Sequence, residues 1–168
     1  ARESDSPAPP DADAIAAALA HIDIEDLVLD DAAQTVYFAD PEMVLDVGAV
    51  GKGYAVEMVC QAAEARGLTS ALVSVGGNLR AIGVKPDGSQ WTGGVENPWS
   101  SSDIYTSDSM LDGAINMSDM ALVTSGDYQR YYVVDGKRYH HIIDPETLMP
   151  SRYWRSVIVV CADSGIAD

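Results

Sequence analysis

Apolar and polar positions alternate with a period that changes several times along the chain. After a polar, proline-bearing start, ARESDSPAPP, the segment DADAIAAALAHI puts Ile15, Ala18, Leu19 and Ile22 on one face at helical spacing, with Pro10 and Asp11 at its beginning. The next stretch, LVLDDAAQTVYFADPEMVLDVG, predicts short strands at Leu27–Leu29, Thr35–Phe38 and Met43–Val47, punctuated by Asp and Pro. A second helix is expected over Gly53–Arg66, with Tyr54, Val56, Met58, Val59 and Ala63 available for packing and Gly67 capping its end. Ala71–Val75 is a continuous apolar run of strand length closed by Gly76-Gly77. Leu79–Val84 and Trp91–Glu96 flank the turn residues Pro86-Asp87-Gly88 and read as a hairpin. Residues 99–113 are polar and read as a loop or irregular edge. Further strands are expected at Ala114–Met117, Met120–Thr124, Tyr131–Val134 and Arg155–Cys161, with Asp135-Gly136 as a tight hairpin turn.

These elements describe a strand-rich α+β domain with two clear helices over residues 11–168, preceded by a linker over residues 1–10. No internal repeat is visible. The strands cluster in hairpins and do not alternate with helices, which argues against a doubly wound nucleotide fold.

Composition narrows the function. The apolar share of 47% suits a globular domain with a core. No apolar run approaches the ~20 residues that span a bilayer. The start lacks the basic-then-apolar order of a signal peptide, so a targeting segment is expected outside this chain. A net charge of −16 without a basic stripe argues against nucleic-acid binding. It also means that an anionic substrate needs a local cation or metal. Cys60 falls in a helical pattern and Cys161 ends an apolar strand, so free buried thiols are expected and a disulfide is not.

Four segments carry candidate chemistry. In LDVGAVGKGYAVE, a strand enters a turn with Gly48, Gly51 and Gly53, and Lys52 stands where a helix begins. Glycines allow close approach of backbone to ligand, and a helix start offers N–H groups to an anion. The segment is not a Walker A loop, because Asp46 stands where that pattern needs glycine and Gly53 where it needs Ser or Thr. Either an anion site or merely a tight strand–helix turn satisfies the pattern. In VSVGGNLRAIG, paired glycines between strands make a tight corner, or a backbone wall against a flat ligand. In the stretch from Thr124 to Pro150, small polar residues precede His140-His141. Neighbouring histidines on a strand point to opposite faces and cannot both serve one site, and a His-His-x-x-Asp metal site is geometrically strained. Finally, SVIVVCADSGIAD is a buried strand followed by a small-residue turn, ending at Asp168 with the appearance of a segment cut short.

Taken in order, DVGAVGKGY, SVGGNLRAIG, TSGDYQRY, HHIIDPETLMP and GIAD resemble the landmarks of the ApbE-type FAD:protein FMN transferases over about Ile22 to Asp168. The resemblance implies an ApbE-like, T-fold-like domain, incomplete here at both ends. It implies a reaction in which FAD binds with Mg2+ on its pyrophosphate, a Thr or Ser hydroxyl of an acceptor protein attacks the FMN-side phosphorus, and AMP leaves. Residue by residue, Lys52 matches the lysine beside the pyrophosphate and His141 the histidine assisting the hydroxyl. Ala49, through its carbonyl, and Asp168 match metal ligands. Gly51, Ser125, Gly126 and Gln129 fall where the nucleotide is contacted. The partner implied is an acceptor flavoprotein or redox-complex subunit. The location implied is extracytoplasmic, with membrane contact only through an N-terminal lipid anchor outside this chain.

Two positions depart from the family pattern. Leu148 replaces a glycine, so its turn is expected to take another conformation or to be looser. Gln129 replaces a common glutamate. Two other functions compatible with the same residues are a metal-dependent FAD pyrophosphatase or FAD binder, and a non-enzymatic interaction module with degenerate motifs. As a fragment, the chain is expected to bind FAD weakly or not at all and to be inactive alone.

Overall fold

A computed structural model describes residues 8–9, 11–99, 111–128 and 130–168. The polar stretch 100–110 and Gln129 lie outside the described residues. In chain order the elements are α1 (Ala12–Leu19), β1 (Leu27–Asp30), β2 (Thr35–Phe38), α2 (Gly51–Ala65), β3 (Ser70–Val75), β4 (Asn78–Gly83), β5 (Trp91–Glu96), β6 (Leu111–Met117) and β7 (Ala121–Gly126). There follow β8 (Tyr131–Val134), β9 (Lys137–His140), β10 (Ile143–Asp144), β11 (Met149–Pro150), β12 (Ser156–Cys161) and the single turn α3 (Ser164–Ala167).

The centre is a four-stranded antiparallel sheet in the order β12-β7-β4-β3. Alternate residues of a strand face opposite sides, so the sheet serves two layers. On one side, Ile82 packs against Val56 and Cys60 of α2, with Ala63, Ala71 and Val73 around them. On the other, Ala81 and Leu122 pack against Met117, with Leu72, Leu79, Trp91, Ile115 and Ile158. The β5–β6 ribbon is thus a second layer on the face opposite α2. Helix α2 ends as expected: Gly67 takes φ +92°, its N–H donates to Glu64 O and that of Leu68 to Ala63 O, which is a Schellman closure. Cys60 and Cys161 are free, as expected, but only Cys60 is buried, and Cys161 is half-buried.

Three expectations are corrected. The segments at 79–84 and 91–96 do not pair. The turn forms, with Lys85 N–H donating to Ser89 O, but β4 already has β3 on one edge and β7 on the other, so β5 crosses to pair with β6. Met43–Val47 is not a strand. The Asp40 and Asp46 carboxylates accept the N–H groups of Glu42 and Gly48, and these local side-chain turns displace extended structure. Tyr54, Met58 and Val59 of α2 are exposed, and its buried face is Gly53, Val56, Glu57 and Cys60. Likewise Leu19 and Ile22 of the first helical segment are exposed, and α1 buries no residue among those described.

What ties α1 down is polar. His21 Nδ1 lies 2.6 Å from Asp40 Oδ2, and Nε2 lies 3.4 Å from Glu42 Oε2. The hydrogen bond to Asp40 raises the His21 pKa above its ordinary 6.5, outweighing desolvation. A pKa raised by folding means stability fully present below pH 6.5 and lost as pH climbs through the raised value. The His21 ring resonances are therefore expected to titrate above 6.5, and Asp40→Asn to bring the midpoint back down. An unmoved midpoint in Asp40→Asn contradicts the tether.

Candidate active site

The Asp46 carboxylate accepts Gly48 N–H at 2.8 Å and closes a 3-10 turn, Val47–Ala49. Val50 then starts α2 without any side-chain cap, so the first-turn N–H groups are left for other acceptors. Lys52, in that first turn, folds back so that Nζ donates to Gly48 O at 3.3 Å and to the Asp168 carboxylate at 3.0 and 3.2 Å. Asp168 arrives from the far end of the chain. Asp163 caps α3 by accepting Gly165 and Ile166 N–H, and Asp168 closes the turn with its N–H on Ser164 O.

The Asp168 side chain is 3% exposed and its oxygens are fully engaged. Besides Lys52, Gly53 N–H donates to Oδ2 at 2.8 Å and the Asn78 amide to Oδ1 at 3.4 Å. Burial pushes this carboxyl up, but the Gly53 N–H, Lys52 and Asn78 together outweigh it and hold it below the usual value. Asp168 is therefore a buried, ionised carboxylate at neutral pH.

Glycine is required at Gly53, where a Cβ would stand 2.2 Å from the Ser164 carbonyl and 2.4 Å from Asp168 Cβ. The paired glycines form the β3–β4 turn, with Gly76 at φ +51° and Gly77 at φ +92°. A Cβ on Gly76 would lie 3.6 Å from the Lys52 side chain, and Gly77 O accepts Thr124 N–H. The corner is thus tight and also lies beside Lys52. Asn78 pairs with Val123, so Ser125, two residues on, shares the sheet face that carries Asn78. Gly126 lies at the end of β7, close under the Tyr128 ring.

The histidines sit on an excursion between β7 and β12. Its base is closed by Asp127, whose N–H donates to Arg155 O and whose carboxylate receives Arg138 and Arg155. Tyr132 and Tyr139 stack across the β8–β9 pair at 5.2 Å, and Asp135-Gly136 make the tight turn expected of them. The two histidines diverge. His140 is buried: Nδ1 accepts Ile142 N–H, so Nε2 carries the hydrogen and donates to Ser151 O at 2.7 Å. His141 is exposed, with Nδ1 3.3 Å from Arg130 O. A carbonyl only accepts, so Nδ1 carries a hydrogen, and in the neutral ring the lone pair is on Nε2. Asp144 is occupied by Glu146 N–H, and among the described residues no His-His-x-x-Asp cluster forms.

The turn at Leu148 is closed by a hydrogen bond, not loose. Leu148 takes φ +56°, the left-handed conformation that glycine adopts freely, and its N–H donates to Asp144 O at 2.8 Å. A non-glycine residue there costs roughly 1–2 kcal/mol, part of which glycine forfeits through its freer unfolded chain.

Of the residues singled out from sequence, the structure brings together Gly51, Lys52 and Asp168, with Ala49 in the 3-10 turn leading into α2. Ser125 and Gly126 end the strand beside the glycine corner, and His141 stands on the separate excursion. Sequence reasoning missed Asn78, Glu57 and Arg80, all buried and polar. Chemically, an ionised carboxylate beside backbone carbonyls is an all-oxygen set suited to a hard cation. The Lys52 ammonium already lies between Gly48 O and Asp168, in the place such charge favours.

The profile of the ApbE family matches residues 1–168. The chain belongs to the ApbE family. It is 35% identical over 156 residues to an FAD:protein FMN transferase of Klebsiella pneumoniae (strain 342), covering 92% of this chain and 46% of that protein. It is 35% identical over 160 residues to an FAD:protein FMN transferase of Treponema pallidum (strain Nichols), covering 88% and 42%. Among solved structures, the ApbE protein of Thermotoga maritima superposes with a TM-score of 0.83 at 34% identity, covering 95% of this chain and 49% of that one. The flavin transferase ApbE of Vibrio cholerae gives 0.79 at 30%, covering 98% and 50%. This ApbE chain spans about half the length of these relatives, and its fold is a partial ApbE-like domain.

Proposed function

We propose that the intact protein is an FAD:protein FMN transferase and that this chain carries the Lys52–Asp168 part of its site. The observation that carries the reading is Asp168, buried, ionised and gripped by Lys52 and Gly53 at the glycine-rich start of α2. An anionic dinucleotide entering a chain of net charge −16 needs local positive charge, which Lys52 and the uncapped N–H groups at the start of α2 can supply once Asp168 is shared with a cation.

In the proposed reaction an acceptor Thr or Ser oxygen bonds to the FMN-side phosphorus as that phosphorus parts from the bridging oxygen. AMP leaves with the bridging oxygen and its electron pair. The hydroxyl proton passes to Nε2 of the neutral His141 ring, the tautomer that the Nδ1 contact with Arg130 O selects. Lys52 lies against the pyrophosphate, and Gly51 offers first-turn backbone to it. Ser125, Gly126 and Gln129 contact the nucleotide. Asp168 and the Ala49 carbonyl would hold Mg2+, which when bound neutralises charge on the pyrophosphate. The acceptor is a flavoprotein or redox-complex subunit. An extracytoplasmic location on a lipid anchor belongs to the same reading, supported by the family resemblance and testable by fractionating cells that express the intact protein.

The test is to incubate the intact protein with FAD, Mg2+ and a candidate acceptor, then separate the proteins under denaturing conditions. Flavin fluorescence on the acceptor band is expected. Free FMN and AMP without labelled acceptor would assign hydrolysis, with water as the nucleophile, and no turnover of FAD would assign a non-enzymatic module.

A further inference from the structure

Glu57 stands one turn beyond Gly53 on α2, where a helix-surface glutamate would ordinarily face water. Its side chain is instead 5% exposed and that of Arg80 is 8% exposed. Glu57 Oε2 accepts Arg80 Nε at 3.1 Å and, at 2.9 Å, the backbone N–H of Ser164. Gln61 donates to Oε1 at 3.1 Å, and Arg80 also donates to Ala81 O. Burial pushes the Glu57 carboxyl up, yet the Ser164 N–H, Arg80 and Gln61 bring it below its ordinary value, so it stays ionised.

Ser164 opens α3 and Asp168 closes it. A single helical turn does not hold itself together, because nucleation fixes more dihedrals than its hydrogen bonds repay. Its placement must come from its neighbours. Glu57 and Arg80 fix the first end, and Lys52, Gly53 and Asn78 fix the last. Arg80 and Asn78 sit two apart on β4 and share its α2-facing side. The same helix and strand therefore grip α3 at both ends.

We infer that Glu57 is a positioning residue, holding Asp168 at Lys52 by anchoring the start of α3 through the Ser164 N–H. The inference rests on Asp168 serving the transfer reaction proposed above. Without Glu57 the Ser164 N–H is orphaned, and the buried Arg80 loses its close carboxylate and keeps only Glu64 at 3.9 Å. The start of the turn is then released, and the Asp168 carboxylate, carried on the same single turn, is no longer held in register with its donors.

The test is amide hydrogen exchange of the intact protein, compared with FMN transfer by the same samples. Glu57→Ala is expected to speed exchange at Gly53 and Asp168 about tenfold or more, while Ala81 and Val123 in the sheet change little. FMN transfer should fall about tenfold or more in kcat under conditions where the protein stays folded. Glu57→Gln, which keeps an acceptor oxygen at the same reach, should restore most of both. Should Glu57→Ala fail to fold, Glu57→Ala combined with Arg80→Met removes the buried charge as well and carries the same comparison. Faster exchange spread evenly over the sheet with unchanged kcat, or unchanged exchange at Gly53, overturns the inference. A wild-type protein that transfers no FMN overturns the proposed function instead, and Glu57's role is then decided by the exchange pattern at Gly53 and Asp168.

Discussion

Asp168→Asn is expected to lower FMN transfer by the intact protein at least about a hundredfold while leaving the fold in place. Asparagine matches the shape of aspartate, so Gly53 N–H retains an acceptor and α3 retains its position. What is lost is the charge that Lys52, Gly53 and Asn78 together stabilise against burial. Lys52 remains partly exposed, so it is not stranded by the loss. A neutral amide is also a much poorer partner for a divalent cation, so added Mg2+ should not recover the rate. The comparison needs initial rates over a range of Mg2+ and circular dichroism of the same samples. A folded variant within about threefold of wild type would mean that Asp168 is not part of the reacting site.

Gly53→Ala is expected to be just as damaging, through geometry instead of charge. An added Cβ would meet the Ser164 carbonyl at 2.2 Å and Asp168 Cβ at 2.4 Å, and a carbonyl of the backbone cannot swing aside as a side-chain tip can. Helix α3 must move outward, taking Asp168 from Lys52. The sign of the stability change is diagnostic. In an open helix position this substitution stabilises by about 1 kcal/mol, whereas forced overpacking destabilises by roughly 1–3 kcal/mol. Urea unfolding should show loss of stability, together with loss of transfer. A stabilised, active Gly53→Ala protein would show that α3 does not need its close approach to α2.

Much of the secondary structure was legible because it is governed by local chemistry. Gly67 closes α2, Asp135-Gly136 turns β8 into β9, and the patterns over 35–38 and 131–134 are strands with those bounds. Pairing was less legible. Pro86-Asp87-Gly88 announces a chain reversal, but whether the flanking strands pair depends on which edges are free. The edge in question is taken by β7, far along the chain. The buried face of α2 was also misread, because apolar Tyr54, Met58 and Val59 are exposed while Glu57 is buried against Arg80. No single-residue signal distinguishes a buried paired glutamate from a solvated one.

The site divides in the same way. Glycines around a lone lysine at a helix start justify an anion-binding corner from residue chemistry alone. The meeting of Lys52 with Asp168 does not follow from that chemistry, since 116 residues separate them. Only the order of the motifs, read as a family resemblance, put both in one site, and the structure brings them to hydrogen-bonding distance. Leu148 shows another case: the motif departs from glycine, and the leucine itself takes the left-handed conformation that glycine adopts freely.

The central claim, that this site moves FMN from FAD to a protein hydroxyl, is tested most directly by product stoichiometry. With FAD, Mg2+ and acceptor, the intact protein should release one AMP for each FMN that becomes bound to an acceptor Thr or Ser, with little free FMN. AMP accompanied by an equal amount of free FMN, and an acceptor left unlabelled, would contradict it.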